Sequence, residues 1–165
     1  YYTLLCCYKI VLIRTMQQYY LNKISPELGA EISGIDLSKD FNEEIQNKIY
    51  DDLINYKVLF FREQNITPQF HVEFAKSFGS IEEPHPVYPH VDGFPEIVLL
   101  ENDKDNPPDT DEWHTDVTFK NDPPFASVLY SKTIPEVGGD TLWSSLSKIY
   151  DALPCLLYTS PSPRD

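Results

Sequence analysis

The sequence predicts an α+β fold in which helices come first and the strands of a β-sandwich or jelly roll, begun but not finished, follow. Two helical patterns lie before residue 80, and short apolar runs typical of strands predominate after it. The chain has 165 residues, of which 41% are apolar and 13% aromatic. That length and composition suffice for one globular domain with its own core.

Residues 30–61 carry one strand pattern on each side of a helix pattern. Residues 30–35 (AEISGI) alternate weakly between apolar and polar and predict a short strand. Residues 42–56 predict an amphipathic helix, because Ile45 and Ile49 recur at helical spacing and acidic residues occupy the first turn. Residues 58–61 (VLFF) form an apolar run that predicts a buried strand.

A second helix is predicted to begin after Thr67, with that residue as N-cap and Pro68 at the first helical position. Phenylalanines recur every four residues along one face, and Gly79 is expected to end the helix. Further strands are predicted at residues 97–100, 125–131 and 141–143, long loops at 83–95 and 102–112, and core positions at Trp113 and Trp143.

Charge and cysteine content narrow the classes of function. The formal net charge of −13 argues against a nucleic acid or an anionic membrane as partner, because phosphate binding needs clustered Lys and Arg. A small anionic substrate stays open, since one local cationic site can hold it. The cysteines lie only before residue 16 or after residue 154, so residues 16–154 have no disulfide framework and no thiol chemistry. This composition is compatible with a cytoplasmic location.

Both ends of the chain look foreign to the domain. Residues 1–15 begin without methionine and are too short to span a bilayer, so we expect an upstream leader and a start at Met16. Residues 155–165 (CLLYTSPSPRD) look like a sequencing adapter translated in frame, with an ordinary disordered tail as the alternative. The expected organisation is a non-native leader, the N-terminal part of one domain at 16–154, and a non-native tail.

The stretch WHTDVTF at residues 113–119 carries the predicted chemistry. If it is extended, His114 and Asp116 project to the same side, where an imidazole and a carboxylate can hold one metal ion. Two histidines and one carboxylate, with open positions left on the metal, are the ligand set of iron(II) oxygenases. Taken alone, His-x-Asp is a weak signal, and a surface histidine hydrogen-bonded to a nearby carboxylate is the alternative interpretation.

Longer motifs occur in a fixed order along the chain: GAEISGIDLS (29–38), VLFFREQNITPQ (58–69), HPVYPH (85–90), DNPPDTDEWHTDVTF (105–119) and GGDTLW (138–143). Together they resemble the taurine dioxygenase (TauD/TfdA) family from about residue 24 to residue 154. The resemblance implies an incomplete double-stranded β-helix (jelly roll) with N-terminal helices packed on it. It also implies an enzyme that uses Fe(II), 2-oxoglutarate and O2 to hydroxylate taurine or a related alkylsulfonate, releasing sulfite, aldehyde, succinate and CO2.

The same resemblance implies roles for individual residues. His114 and Asp116 correspond to two of the three iron ligands, and Thr141 to a threonine that helps hold the 2-oxoglutarate carboxylate. The positions that contact the substrate correspond to His85, Tyr88 and the backbone N–H of Val117. For each of these residues, packing in a loop, a strand or the core is the alternative interpretation. A second metal site at His85 and His90 is not expected, because no clustered third ligand accompanies them.

One residue departs from the family pattern. Thr110 stands four residues before His114, where the taurine enzymes carry an asparagine. A hydroxyl offers less hydrogen-bonding capacity than an amide, so another sulfonate, a sulfate ester or an aryloxyacid stays open as substrate.

The chain carries only part of the expected site. The third iron ligand and the arginines for 2-oxoglutarate and sulfonate are expected beyond residue 154, so this chain alone should be inactive and unstable. The alternatives are a non-catalytic binding protein that kept the fold but not the iron, and a soluble α+β domain with an accidental His-x-Asp. A small-molecule sulfonate is the expected partner, and a homo-oligomer stays open.

Overall fold

The computed structural model of the chain describes residues 19–84, 86–103, 105 and 112–154. The elements, in chain order, are β1 (Tyr20–Lys23), β2 (Ala30–Ser33), α1 (Leu37–Asp40), α2 (Glu43–Tyr56), β3 (Leu59–Phe61), α3 (Pro68–Lys76), β4 (His90–Val91), β5 (Phe94–Val98) and α4 (Leu146–Ala152). Helices and strands are therefore both present, and the predicted α+β class fits this part of the chain.

The strands form one sheet of three strands and one sheet of two. In the larger sheet, β2 lies in the centre, antiparallel to β1 and parallel to β3. Helices α1 and α2 make the crossover between the two parallel strands, as parallel pairing requires. The smaller sheet is a hairpin of β4 and β5, joined by Asp92 and Gly93, and the positive φ of 75° at Gly93 suits a tight two-residue turn.

The two longer helices begin where the sequence predicts. Helix α2 is capped by Asn42, whose side-chain oxygen accepts a hydrogen bond from the backbone N–H of Ile45 at 3.1 Å. Helix α3 is capped by Thr67, whose hydroxyl accepts from the backbone N–H of Phe70 at 3.1 Å. Its last helical residue is Lys76, three residues before the predicted end at Gly79. The chain between them forms irregular turns.

The core lies between the three-stranded sheet and the helices α2 and α3. Ile32 of β2 and Ile45 of α2 are the largest fully buried side chains, and Ile49 and Phe74 pack in the same cluster. Burying a side chain of this size contributes about 1.5–3 kcal/mol each. The periodic apolar positions of the sequence are therefore the ones that hold the domain together.

Three predictions about strands need correction. Strand β5 begins at Phe94 and ends at Val98, so it starts three residues earlier and ends two residues earlier than the strand predicted at 97–100. Residues 125–131 and 141–143 form no strand. In the first of these segments the Val128 carbonyl accepts a hydrogen bond from the ring of His71, and the Tyr130 hydroxyl donates to the Gln64 carbonyl. The segment is therefore held by side-chain contacts and not by a strand ladder.

The order of elements also differs from the prediction. All five described strands lie before residue 100, among the first three helices, and the last described element is helix α4, so the expectation of helices early and strands late is wrong for the described residues. The sheets of the described residues are small, and the incomplete double-stranded β-helix stays a prediction. Trp113 and Trp143 were expected in the core, yet 71% and 42% of their surfaces are exposed. Trp113 is thus mostly exposed, whereas Trp143 meets the ring of Phe60 edge-on.

No helix within the described ranges combines the length and the apolar character that crossing a membrane requires.

Candidate metal centre

The residues with the predicted chemistry lie in an irregular segment at 112–120, between strand β5 and the 125–131 segment. A turn shapes this segment: the Lys120 N–H donates to the Val117 carbonyl at 3.2 Å, and the hydroxyls of Thr115 and Thr118 lie 2.6 Å apart. The extended conformation predicted for residues 113–119 is therefore wrong, since the segment forms a turn. His114 and Asp116 nevertheless come together, because the turn folds their side chains toward each other.

The two side chains meet through single atoms. His114 Nε2 lies 3.4 Å from Asp116 Oδ1, and 58% of each side chain is exposed. Ligands bound at about 2.1 Å from one divalent ion lie about 3.0 Å apart at a right angle and about 3.4 Å apart at a tetrahedral angle. The observed separation therefore fits an imidazole and a carboxylate that share one ion.

The backbone sets the tautomer of His114. Its Nδ1 lies 3.0 Å from the carbonyl oxygen of Glu112, and a carbonyl oxygen can only accept, so Nδ1 carries a proton. In the neutral ring Nε2 then presents a lone pair to Asp116 Oδ1. Two acceptors at this distance repel each other unless a cation lies between them or the ring takes up a second proton. A backbone carbonyl that holds the other ring nitrogen is the usual support of a metal-binding histidine.

The carboxylate of Asp116 is also held from one side. Ser127 Oγ donates a hydrogen bond to Asp116 Oδ2 at 3.0 Å, which leaves Oδ1 to face the imidazole. One carboxylate oxygen is thus occupied by a protein hydroxyl, and the other is directed to the space shared with His114. This division between the two oxygens is typical of a carboxylate that binds a metal through one atom.

Val117 follows Asp116 directly and has a φ of 52°. Positive φ is strained for a β-branched residue, and such strain clusters at functional sites. Val117 also lines a cleft of about 380 Å³. The cleft walls are mostly apolar, with four charged side chains, and the other lining residues are Ile81, Glu82, Glu83, Pro84, Pro86, Glu96, Val98 and Lys120.

Two ion pairs compensate part of the negative charge that lines this cleft. Lys120 is paired with Glu82, and the Lys76 ammonium lies 3.9 Å from Glu96. Both pairs are partly exposed, so their contribution to stability is small. Their effect on the cleft is to offset two of its three carboxylates.

The remaining predicted site residues lie in other segments of the chain or outside the described ranges. Thr141 is exposed in the irregular segment before α4, and within the described ranges no hydrogen bond joins it to His114 or Asp116. Tyr88 is half-buried in the segment before β4. His85 and Thr110 lie outside the described residues. No group of three or more His, Cys, Asp or Glu side chains that could hold a metal forms within the described ranges.

Neither Ser127 nor the Glu112 carbonyl could be predicted from the sequence. Ser127 lies eleven residues after Asp116, and no spacing rule connects the two positions. The Glu112 contact uses a backbone atom, which the residue type does not reveal. Both depend on how the chain turns between residues 112 and 127.

Comparison with known proteins identifies the class of protein. The chain belongs to the family described as taurine catabolism dioxygenase TauD, TfdA, whose model matches residues 21–157. The match includes the 112–120 segment and the cleft. It confirms the family resemblance that the sequence motifs indicated.

Individual relatives agree with this family. An alkylsulfatase of Acinetobacter baylyi is 42% identical over 142 residues, which are 86% of this chain and 44% of that protein. An alpha-ketoglutarate-dependent sulfate ester dioxygenase of Pseudomonas putida is 39% identical over 137 residues, covering 81% of this chain and 44% of that protein. The crystal structure of a taurine dioxygenase from Burkholderia xenovorans superposes with a TM-score of 0.71 at 38% identity, covering 84% of this chain and 49% of that one. The chain spans about half the length of these relatives.

Proposed function

We propose that the chain is part of a dioxygenase that uses Fe(II), 2-oxoglutarate and O2 to oxidise a small sulfate ester or sulfonate. The observation that carries the proposal is the pairing of His114 Nε2 and Asp116 Oδ1 at 3.4 Å within a family of dioxygenases. The donor set fits the metal, because an imidazole and a carboxylate are two of the three ligand groups of non-haem iron(II) oxygenases.

His114 and Asp116 are the residues that would hold the iron, with a third ligand from outside the described ranges. When bound, the iron activates O2 and supplies the oxidation of a substrate C–H bond, coupled to conversion of 2-oxoglutarate to succinate and CO2. The protein's own part is orientation. The Glu112 carbonyl keeps a proton on His114 Nδ1 and so leaves Nε2 free to bind, while Ser127 holds the second oxygen of Asp116.

The remaining candidate residues take supporting roles in this proposal. Thr141 would bind the carboxylate of 2-oxoglutarate through its hydroxyl, which can donate to an anionic oxygen. His85, Tyr88 and the Val117 N–H would bind the anionic head of the substrate. Val117 is supported in this role by its place in the wall of the cleft directly after Asp116.

The substrate that fits best is an alkyl sulfate ester or an alkylsulfonate without a charged amine. Two relatives at 42% and 39% identity are named for alkyl sulfate or sulfate ester chemistry. The cleft beside Val117 has apolar walls of proline, isoleucine and valine that suit an alkyl chain. Hydroxylation at the carbon that bears the head group yields an aldehyde with sulfate from an ester, or with sulfite from a sulfonate.

The proposal is tested in the full-length protein by measuring succinate formation from 2-oxoglutarate with Fe(II) and hexyl sulfate. Asp116→Asn removes the anionic ligand at constant size and should lower turnover at least 100-fold. Glu112→Gln is the matched control: it neutralises a carboxylate in the same segment but keeps the backbone carbonyl, so activity should remain near wild type. Wild-type-like turnover in Asp116→Asn would refute the ligand assignment.

The substrate class is tested by comparing kcat/KM for hexyl sulfate, hexanesulfonate and taurine. We expect the alkyl substrates to be preferred. Thr110→Asn restores the amide that the taurine enzymes carry and should move the preference toward taurine. A wild-type preference for taurine would contradict the proposed substrate class but not the dioxygenase activity.

A further inference from the structure

We propose that Ser127 is a positioning residue that aims the carboxylate of Asp116 at the metal. The inference rests on the proposed function, since it needs Asp116 to bind a metal. It goes beyond that function by giving the metal-binding segment a specific attachment to the folded part of the chain.

The geometry separates the two carboxylate oxygens of Asp116. Oδ2 accepts the hydrogen bond of the Ser127 hydroxyl at 3.0 Å, and Oδ1 lies 3.4 Å from His114 Nε2. A carboxylate without such a donor can rotate about its last bond and exchange its oxygens. A hydroxyl on one oxygen fixes the rotation and leaves the other oxygen directed at the space shared with the imidazole.

Ser127 is suited to this role because its segment is anchored to the helical core. The carbonyl of the next residue, Val128, accepts a hydrogen bond from His71 of α3 at 2.9 Å. The ring of Phe125 stacks on Tyr50 of α2, with centroids 5.1 Å apart. The hydroxyl of Tyr130 donates to the Gln64 carbonyl at 3.2 Å, which adds a third point of attachment. The segment that carries Asp116 is an irregular turn. The Ser127 hydroxyl therefore links the carboxylate of Asp116 to a segment that the helices hold in place.

The hydrogen bond between Ser127 and Asp116 is exposed to solvent, and this exposure determines which property of the protein it affects. A hydrogen bond between exposed groups adds little to stability because water replaces it readily. Its removal should therefore leave folding almost unchanged and act on the direction of the carboxylate. Metal affinity is the quantity that responds to direction, and groups that orient metal ligands typically change it by about 10–100-fold.

The test uses the full-length protein and Co²⁺ as the probe, with binding followed by calorimetry and by visible absorption. Ser127→Thr and Ser127→Val differ only in the hydroxyl at nearly constant size, so a shared packing defect cancels between them. We expect the valine variant to bind Co²⁺ about 10-fold or more weakly than the threonine variant. Ser131→Ala, an exposed serine of the same segment, should bind as wild type does. The urea midpoints of the two position-127 variants should agree.

Two further outcomes separate the inference from the proposed function. Equal Co²⁺ affinity in the valine and threonine variants, with binding abolished in His114→Ala, would overturn the role of Ser127 and leave the metal site intact. Co²⁺ binding that is unchanged in His114→Ala would remove the proposed metal site, and the inference about Ser127 with it.

Discussion

The imidazole of His71 donates a hydrogen bond from Nε2 to the carbonyl oxygen of Val128 at 2.9 Å and so joins helix α3 to the segment beside the candidate metal centre. The same ring meets Tyr130 edge-on, with centroids 6.3 Å apart. His71 is half-buried on the helix, with its Nε2 turned to the backbone of the neighbouring segment. It therefore acts as a connector between the phenylalanine-rich helix and the residues that support Asp116.

Replacing His71 should weaken this connection without removing either of the candidate metal ligands, His114 and Asp116. His71→Leu keeps the bulk but removes the donor, which leaves the Val128 carbonyl without this partner and should lower the free energy of unfolding by about 1 kcal/mol. His71→Gln retains an N–H donor and should fall between Leu and wild type. Urea unfolding of the full-length protein measures both. Equal midpoints for the leucine variant and wild type would show that the contact contributes nothing.

The sequence predicted the helices better than the later strands, and the reason is the range of the interactions involved. The caps at Asn42 and Thr67 act within three residues, and the apolar period of α2 lies within one element. A strand at 125–131 would need a partner chosen by the whole fold. In the described structure that segment meets helix α3 through His71 instead, a contact over 57 residues.

In the candidate site, too, contacts between residues close in sequence were easier to predict than contacts between separate segments. His114 and Asp116 are two residues apart, and the sequence predicts their pairing from an extended strand, whereas the structure brings the two side chains together in a turn. The Ser127–Asp116 hydrogen bond and the Lys120–Glu82 ion pair could not be predicted, because their partners lie 11 and 38 residues apart and no spacing rule connects them. Family motifs name the residues that bind a cofactor, whereas the groups that orient those residues depend on the packing of this particular chain.

The core can be tested within a single helix. Ile45 and Ile54 both belong to α2, but Ile45 is 2% exposed and Ile54 is 53% exposed. Ile45→Ala leaves a cavity beneath β2 and should lower the free energy of unfolding by about 2–5 kcal/mol. Ile54→Ala should change it by about 0.5 kcal/mol or less, since alanine is a good helix former and little burial is lost. Urea unfolding of the two variants side by side decides the matter, and similar losses would contradict the orientation of α2.

A buried tyrosine should give the protein a stability that disappears at alkaline pH. Tyr19 is 5% exposed and donates a hydrogen bond to Asp52 Oδ2 at 2.6 Å, and the same oxygen lies 2.9 Å from the Lys48 ammonium. Burial, followed by the hydrogen bond and the charge of Asp52, raises the pKa of the Tyr19 hydroxyl well above its ordinary value. Tyr19→Phe should lower the free energy of unfolding by about 2 kcal/mol at pH 7, as expected for a hydrogen bond to a charged group.

The sign of the pH dependence follows from the raised pKa. The folded state favours the neutral phenol, so the stabilisation is complete below the unfolded pKa of about 10 and is lost as the pH rises above it. The difference between wild type and Tyr19→Phe should therefore shrink between neutral pH and strongly alkaline pH. Tyr20→Phe, at a neighbouring position that is 72% exposed, is the control and should follow wild type throughout. A difference that stays constant with pH would exclude the buried hydrogen bond as its source.

The positive φ of Val117 predicts an unusual order of stability for two substitutions at this position. At a φ of 52° a side chain is strained, and glycine is not. Val117→Gly should therefore be more stable than Val117→Ala by about 1 kcal/mol, even though glycine loses more conformational entropy on folding. Val137 is the matched control, because it is 91% exposed and is not among the positive-φ residues of the described ranges. There the order should reverse, with alanine more stable than glycine by about 0.5 kcal/mol. Urea unfolding of the four variants measures both rankings, and alanine ahead of glycine at both positions would contradict a left-handed residue next to Asp116.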